Sequence, residues 1–343
     1  MFRKLVTVLS AAVIFIMAVV PVSAETATRE VEADVPPRLL VLGDSIATGY
    51  GLEGYDKGKE GCQSYANILK DRYSSELPAE CGFTLTNRAV DGMTSEGLLS
   101  ELNSGSLDEA LKNADCIIIS IGGNDLLHAL WDFLADKGIT SPSSATVVDV
   151  VKIVATLGKL KDKLDENLAA FETNLTAITG YITSKTEGVL IMQTLYDPFQ
   201  SFGLIPGFSS IAADKIARLD ETIRVHAGDA GRNYTVCDVA PEFVGRSDEL
   251  TNMGRIDIHP NAEGHKVIAE LLDKTVRAVK YSYTETYEIE PAVTEAESSA
   301  PAAEPKQESS DSTNGWIWLV LGLAGGAAVV GIASVIVIKK RGK

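Results

Sequence analysis

The sequence predicts an α/β protein: a three-layer α/β/α sandwich on a five-stranded parallel sheet. Three observations predict it. Five short apolar runs alternate with longer stretches of helical periodicity. Most of the runs are continuous and rich in β-branched residues, as expected of strands covered on both faces. Turn-forming residues follow several of them, at Gly43, Gly122-Gly123 and Asp197-Pro198.

The first strand is Leu39-Leu40-Val41-Leu42, ending at Gly43. A helix is expected from Ser64 to Leu77. Phe83 to Asn87 alternates apolar and polar residues and is the second strand, followed by helical periodicity from Ser95 to Lys112. Cys116 to Ile121 is the third strand. The next stretch is helical with breaks, from Ala145 to Ser184, and leads to the fourth strand, Val189 to Thr194. A helix over Ile211–Asp229, the fifth strand Tyr234–Val239 and a final helix Ala262–Lys280 complete the pattern. Parallel strands joined by helices require right-handed crossovers, and ligands of such sheets gather at the carboxyl ends of the strands. Three notable loops follow strands there: Gly43-Asp44-Ser45, Asp91-Gly92 and Gly123-Asn124-Asp125. Two apolar segments, Leu126 to Leu134 and Phe199 to Phe208, are expected either to wall or lid a pocket or to cover the sheet.

The folding body is expected to span residues 36–280, about one large domain. What lies on either side differs in composition. Arg3 and Lys4 precede an uncharged apolar run, Leu5 to Val20, and Val22-Ser23-Ala24 presents small residues. Residues 1–24 therefore read as a secretory signal, with an uncleaved anchor as the alternative. Residues 281–315 carry eight acids against Lys306 alone, with three prolines, and read as an extended linker. Trp316 to Ile338 is 23 residues without a charge, about 34 Å as a helix, enough to span a membrane. A basic tail, 339–343, follows and marks the cytoplasmic side, which places the body outside the cytoplasm. A buried core helix is the alternative reading of that run.

The chain has 343 residues and a formal net charge of −16, from 47 acidic and 31 basic residues. That balance argues against nucleic acid as a partner, since phosphate binding needs a basic stripe. Four cysteines without a CxxC pair and four scattered histidines do not make a zinc cage. Cys62 and Cys81 flank the first helix, which leaves a disulfide between them open; Cys116 and Cys237 fall in buried strands and are expected to pack as small hydrophobes.

Ser45 follows a buried strand directly and would open a helix, where backbone N–H groups point at a ligand. A serine hydroxyl there needs a base to take its proton and donors to hold an oxyanion; alternatively it only caps the helix. Gly49 and Gly51 follow, but no Gly-Lys-Ser/Thr does, so a phosphate loop is disfavoured. His259, in Asp257-Ile258-His259-Pro260, lies in a loop before the last helix and has the near-neutral chemistry of a proton shuttle. His226 and His265 fall on helical patterns, and His128 has no assigned step. Asn124 can donate a side-chain amide N–H, and Gly92 a backbone N–H, to a developing oxyanion; both also suit simple turns.

In this order the four blocks resemble the SGNH hydrolase superfamily, the GDSL esterases and lipases. The matching residues are Gly43-Asp44-Ser45, Gly92, Gly122-Gly123-Asn124-Asp125 and His259, and the resemblance spans about Leu39 to Leu272. It implies a flavodoxin-like SGNH hydrolase fold, Ser45 as nucleophile, His259 as base and then acid, and an oxyanion hole from Ser45, Gly92 and Asn124. It implies a serine esterase or lipase acting through an acyl-serine, with no metal and no organic cofactor. One feature departs from the pattern. The family's acid stands three residues before the histidine, where this chain has Ile256; Asp257 stands two before. Residues two apart share a side only in an extended segment. Asp257 is the expected third catalytic residue, with Asp44 or a backbone carbonyl as the alternative orienter of a Ser-His dyad. The expected substrate is an ester, an acyl lipid or an O-acylated glycan, and the expected membrane partner is held through the C-terminal helix. A non-catalytic surface module binding carbohydrate or lipid on the same scaffold is the competing class.

Overall fold

Five parallel strands form the central sheet of the computed structural model, which describes residues 26–78, 81–139, 147–228, 234–289 and 335–337. The chain divides into two units, and the sheet belongs to the one comprising residues 29–285 and 335–343. After β1 (Thr26–Ala33), the sheet strands are β2 (Arg38–Gly43), β3 (Thr84–Asn87), β4 (Cys116–Ser120), β5 (Val189–Gln193) and β6 (Tyr234–Cys237). Their spatial order is β3-β2-β4-β5-β6, and every neighbouring pair is parallel. All five strands fall where the apolar runs predict them.

The helices are α1 (Ser45–Thr48), α2 (Tyr65–Glu76), α3 (Ser95–Asn103), α4 (Asp108–Asn113), α5 (Gly123–Ala135), α6 (Val147–Ala155), α7 (Leu157–Lys185), α8 (Phe208–Ala227), α9 (Ser247–Leu250) and α10 (Ala262–Val276). The pleat sorts the strand side chains into two cores. Leu40, Leu42, Ile117 and Ile119 pack with residues of α3, α5, α7 and α8. Leu39, Val41, Ile118 and Ile191 pack on the other side with α2 and α10. Full burial of each such side chain stabilises by about 1.5–3 kcal/mol, which is why β4 is apolar on both faces from Cys116 to Ile119.

Two elements differ from the sequence expectation. The helix expected over 95–112 breaks between α3 and α4, where Ser104 Oγ accepts the Ser106 N–H and Gly105 takes φ +77°. Tyr281–Glu288, expected in the linker, is a strand, β7. Tyr281, Tyr283, Glu285 and Tyr287 alternate with Ser282, Thr284, Thr286 and Glu288, and Tyr281 and Tyr283 are buried. It orders with β1 and the short β8 (Val335–Val337) in a second sheet. Ion pairs Arg29–Glu285 and Lys280–Asp34 flank it. The body therefore extends beyond 36–280 at both ends. Cys62 and Cys81 are free and buried, as are Cys116 and Cys237; Cys62 Sγ instead lies 3.6 Å from the Thr48 carbonyl. The expected signal (1–24) and the remainder of the linker lie outside the described residues. So does the apolar run 316–338, apart from β8. Among the described residues, no helix is long and apolar enough to cross a membrane.

One position ties the sheet to the site. Gly43 ends β2 at φ +129°, and a Cβ there would stand 2.0 Å from the Ser120 carbonyl oxygen of the neighbouring strand. That carbonyl also accepts the Asp44 N–H at 3.2 Å. Gly43→Ala is expected to destabilise the fold by about 3 kcal/mol or more, through backbone strain and separation of the strands. Calorimetry should show the melting temperature falling by roughly 6–12 °C; a melt within 2 °C of the parent would contradict this account of Gly43.

Candidate active site

The carboxyl ends of β2, β3 and β4 open into one cleft of about 790 Å³, which Ser45, Gly92, Asn124, Asp257 and His259 all line. The three residues read as catalytic and the three read as oxyanion donors, Ser45 being in both sets, therefore lie along one cleft, while Asp44, the alternative orienter, is not among its lining.

Ser45 is the first residue of α1. Asp44 caps that helix: its Oδ1 accepts the Ile46 N–H at 3.1 Å, and its carbonyl accepts from Ala47 and Thr48. Among the described residues, no hydrogen bond uses the Ser45 N–H, which remains at the open helix start. Asp44 is 1% exposed, and burial pushes its carboxyl up to about 7, with the nearby Asp125 adding to the shift. Its Oδ1 accepts from both the Ile46 N–H and Ser120 Oγ, so Asp44 supports the serine's turn, and Nδ1 of His259 faces Asp257 instead.

His259 is reached from the far end of the chain. The turn Met253–Arg255 ends at Ile256, whose φ of +59° is the one left-handed value at a non-glycine among the described residues. A β-branched residue pays strain there. After the reversal, Asp257 and His259 lie on one side of a short segment. Asp257 Oδ1 accepts the His259 N–H at 3.1 Å and faces Nδ1 at 2.5 Å. A carboxylate only accepts, so Nδ1 carries the proton and Nε2 is left as the acceptor. Nε2 lies 2.9 Å from Ser45 Oγ, which donates to it. The imidazole is held from other sides too. The Tyr50 ring packs on it at 4.7 Å between centroids, and Tyr196 Oη donates to the Ile258 carbonyl at 2.8 Å.

Asn124 sits in the first turn of α5. One N–H of its amide donates to the Met93 carbonyl at 3.0 Å, which fixes the side chain and leaves the second N–H. Gly92 has φ +74° with open space where a side chain would go. The turn that carries it is tied down from two directions. Asp91 Oδ1 accepts from Thr48 Oγ1 at 2.6 Å, and Asp91 Oδ2 accepts from Tyr55 Oη; burial first, and Asp91 second, push the Tyr55 hydroxyl up. Asp125 binds the start of α3, accepting the Ser95 N–H at 2.9 Å; burial raises its carboxyl.

Sequence reasoning did not find Tyr50, Thr48, Tyr55 or Tyr196. They are supporting contacts between segments remote along the chain, and no spacing rule marks them. The other histidines stay out of the cleft lining. His265 is fully buried, accepts the Tyr65 N–H through Nδ1 at 3.2 Å, and burial lowers it to about 3. His226 pairs with Glu172 on the surface. The two apolar segments wall the cleft: Leu127, Leu130 and Trp131 from α5, and Phe199, Phe202 and Phe208 from the loop before and start of α8. No group of residues able to hold a metal ion occurs among the described residues.

The model of the GDSL-like lipase/acylhydrolase family matches residues 41–267, which covers the sheet from the middle of β2 onward and every residue of the cleft named above. A spore germination lipase of Bacillus licheniformis is 24% identical over 234 residues, covering 67% of this chain and 92% of that protein. Among solved structures, a lipase from a goat rumen metagenome superposes with a TM-score of 0.51 at 20% identity, covering 70% of this chain and 96% of that one. That likeness concerns the fold.

Proposed function

Because the chain belongs to the GDSL-like lipase/acylhydrolase family, and so is a carboxylic ester hydrolase, we propose that Ser45, His259 and Asp257 carry out the hydrolysis through an acyl-serine. The observation that carries this reading is the relay Ser45 Oγ to His259 Nε2 at 2.9 Å, with Asp257 Oδ1 at 2.5 Å behind Nδ1. His259 takes the Ser45 proton as Oγ attacks the ester carbonyl carbon. The carbonyl oxygen becomes an oxyanion, held by the N–H groups of Ser45 and Gly92 and the side chain of Asn124. The imidazolium, stabilised by Asp257, gives its proton to the departing alkoxide, and the alcohol leaves. Water then attacks the acyl-serine, again with His259 as base, and the acid is released.

The apolar walls of the cleft favour an acyl lipid over an O-acetylated glycan as the substrate. In our reading the domain works outside the cytoplasm, exported by residues 1–24 and held through the acidic linker and the apolar run 316–338. A fluorophosphonate probe is expected to add once, at Ser45, by peptide mass mapping. In a series of p-nitrophenyl esters, turnover should rise from acetyl to longer acyl groups; a maximum at acetyl would transfer the assignment to deacetylation.

Asn124→Ala tests the oxyanion hole. Loss of one such donor is expected to lower kcat by about 10²–10³-fold with KM nearly unchanged. A fall in kcat of less than threefold would remove Asn124 from the hole.

A further inference from the structure

Several of the exposed large apolar side chains among the described residues gather at the cleft, while Val90, Val225 and Val244 lie outside its lining. Trp131, Leu204 and Ile256 line it and are all about half exposed or more, so they stand at its mouth. Helix α6, Val-Val-Asp-Val-Val-Lys-Ile-Val-Ala, forms part of the same wall. Its Val150 and Ile153 line the cleft, while Val148, Val151 and Val154 point outward, the first two 62% and 63% exposed. Three and six residues apart, these three share one helix face. A helix apolar on both faces belongs in a protein core or a membrane boundary, not against water.

The cleft decides what covers this face. A second copy or another protein seated on α6, Trp131 and Leu204 would close the mouth through which an ester must pass. A lipid phase covers the same side chains and is also the source of the substrate. The chain's net charge of −16 disfavours an anionic surface. Resting on the esterase reading above, we propose that the outer face of α6 and the mouth of the cleft seat on a zwitterionic lipid–water surface, from which the ester enters between α6 and the Phe199–Phe208 loop. Exposed apolar patches of this kind mark protein- or membrane-contact sites, and the open cleft mouth favours the membrane.

The experiment uses the full chain and phosphatidylcholine vesicles. Because the C-terminal run can itself hold the chain on a vesicle, the readout is local. A bimane label on Val151→Cys is compared with one on Val225→Cys, which is exposed on α8 about 25 Å along the helix from Phe208. The label at 151 should shift to the blue and be quenched by nitroxide-bearing lipid, and the label at 225 should do neither. No change at 151, or equal changes at both positions, overturns the proposal. A shift at 151 without lipid that grows with protein concentration also overturns it, in favour of self-association. In a second arm, Val148→Asn/Val151→Asn should keep its turnover of dissolved p-nitrophenyl acetate and lose at least tenfold on an ester dispersed in the vesicles. Equal turnover of the dispersed ester would likewise overturn it. Absence of any hydrolysis by the parent protein would sink the esterase reading alone, because the label measurement does not depend on turnover.

Discussion

Ser45→Ala is expected to reduce kcat on a short p-nitrophenyl ester by on the order of 10⁵–10⁶-fold. In the proposed mechanism the hydroxyl is the group that takes the acyl chain, and His259 and Asp257 serve its proton. Asp44, the other acid beside it, is buried, with Oδ1 accepting from Ile46 and Ser120. The fold should be untouched, because α1 is capped by the Asp44 carboxylate and not by the Ser45 hydroxyl. Stopped assays at high enzyme concentration, with a melt to confirm folding, check this. Retention of a tenth of the parent rate by a folded variant would end the serine mechanism.

Asp257→Asn is the second large effect, expected at about 10³–10⁴-fold in kcat. The amide can present its N–H₂ to Nδ1 and so favour the tautomer that carries its proton on Nε2. That tautomer cannot accept the Ser45 proton. The rate of fluorophosphonate labelling should fall in parallel with turnover, and KM should move little. A loss below tenfold in both measurements would mean that His259 works as a dyad with Ser45. The prediction bears on the single departure of this chain from its family pattern. Ile256 occupies the position where the acid is expected, and its left-handed backbone at φ +59° turns the chain so that the following residue faces the imidazole. A displacement of one residue along the chain is thereby absorbed by one backbone reversal.

The parts of this molecule that were legible in the sequence share a physical cause. The five strands could be read because a strand buried on both faces tolerates almost nothing but apolar residues, as in Cys116–Ser120. Gly43, Gly92 and Asn124 could be read because tight turns at strand ends narrow the choice of residue. Other features left little or no local trace. The strand Tyr281–Glu288 is hidden by the acidic, proline-bearing composition that begins within it. The break between α3 and α4 depends on one serine–glycine turn. The hold of Asp91 on Thr48 and Tyr55, and the packing of Tyr50 on His259, join residues far apart in the chain.

The order of its residues alone marks this protein as an α/β sandwich with a serine, an asparagine and a histidine beside strand and helix ends, because burial and turn geometry are local demands written residue by residue. Whether those side chains meet is not a local matter. The 2.9 Å between Ser45 and His259 spans 214 residues of chain. It exists because the sheet order brings β2 beside β4, and because the turn at Ile256 aims the last loop back across their ends. The exposed valines of α6 also acquire meaning only in three dimensions, since it is the cleft behind them that makes their outward face a surface for lipid.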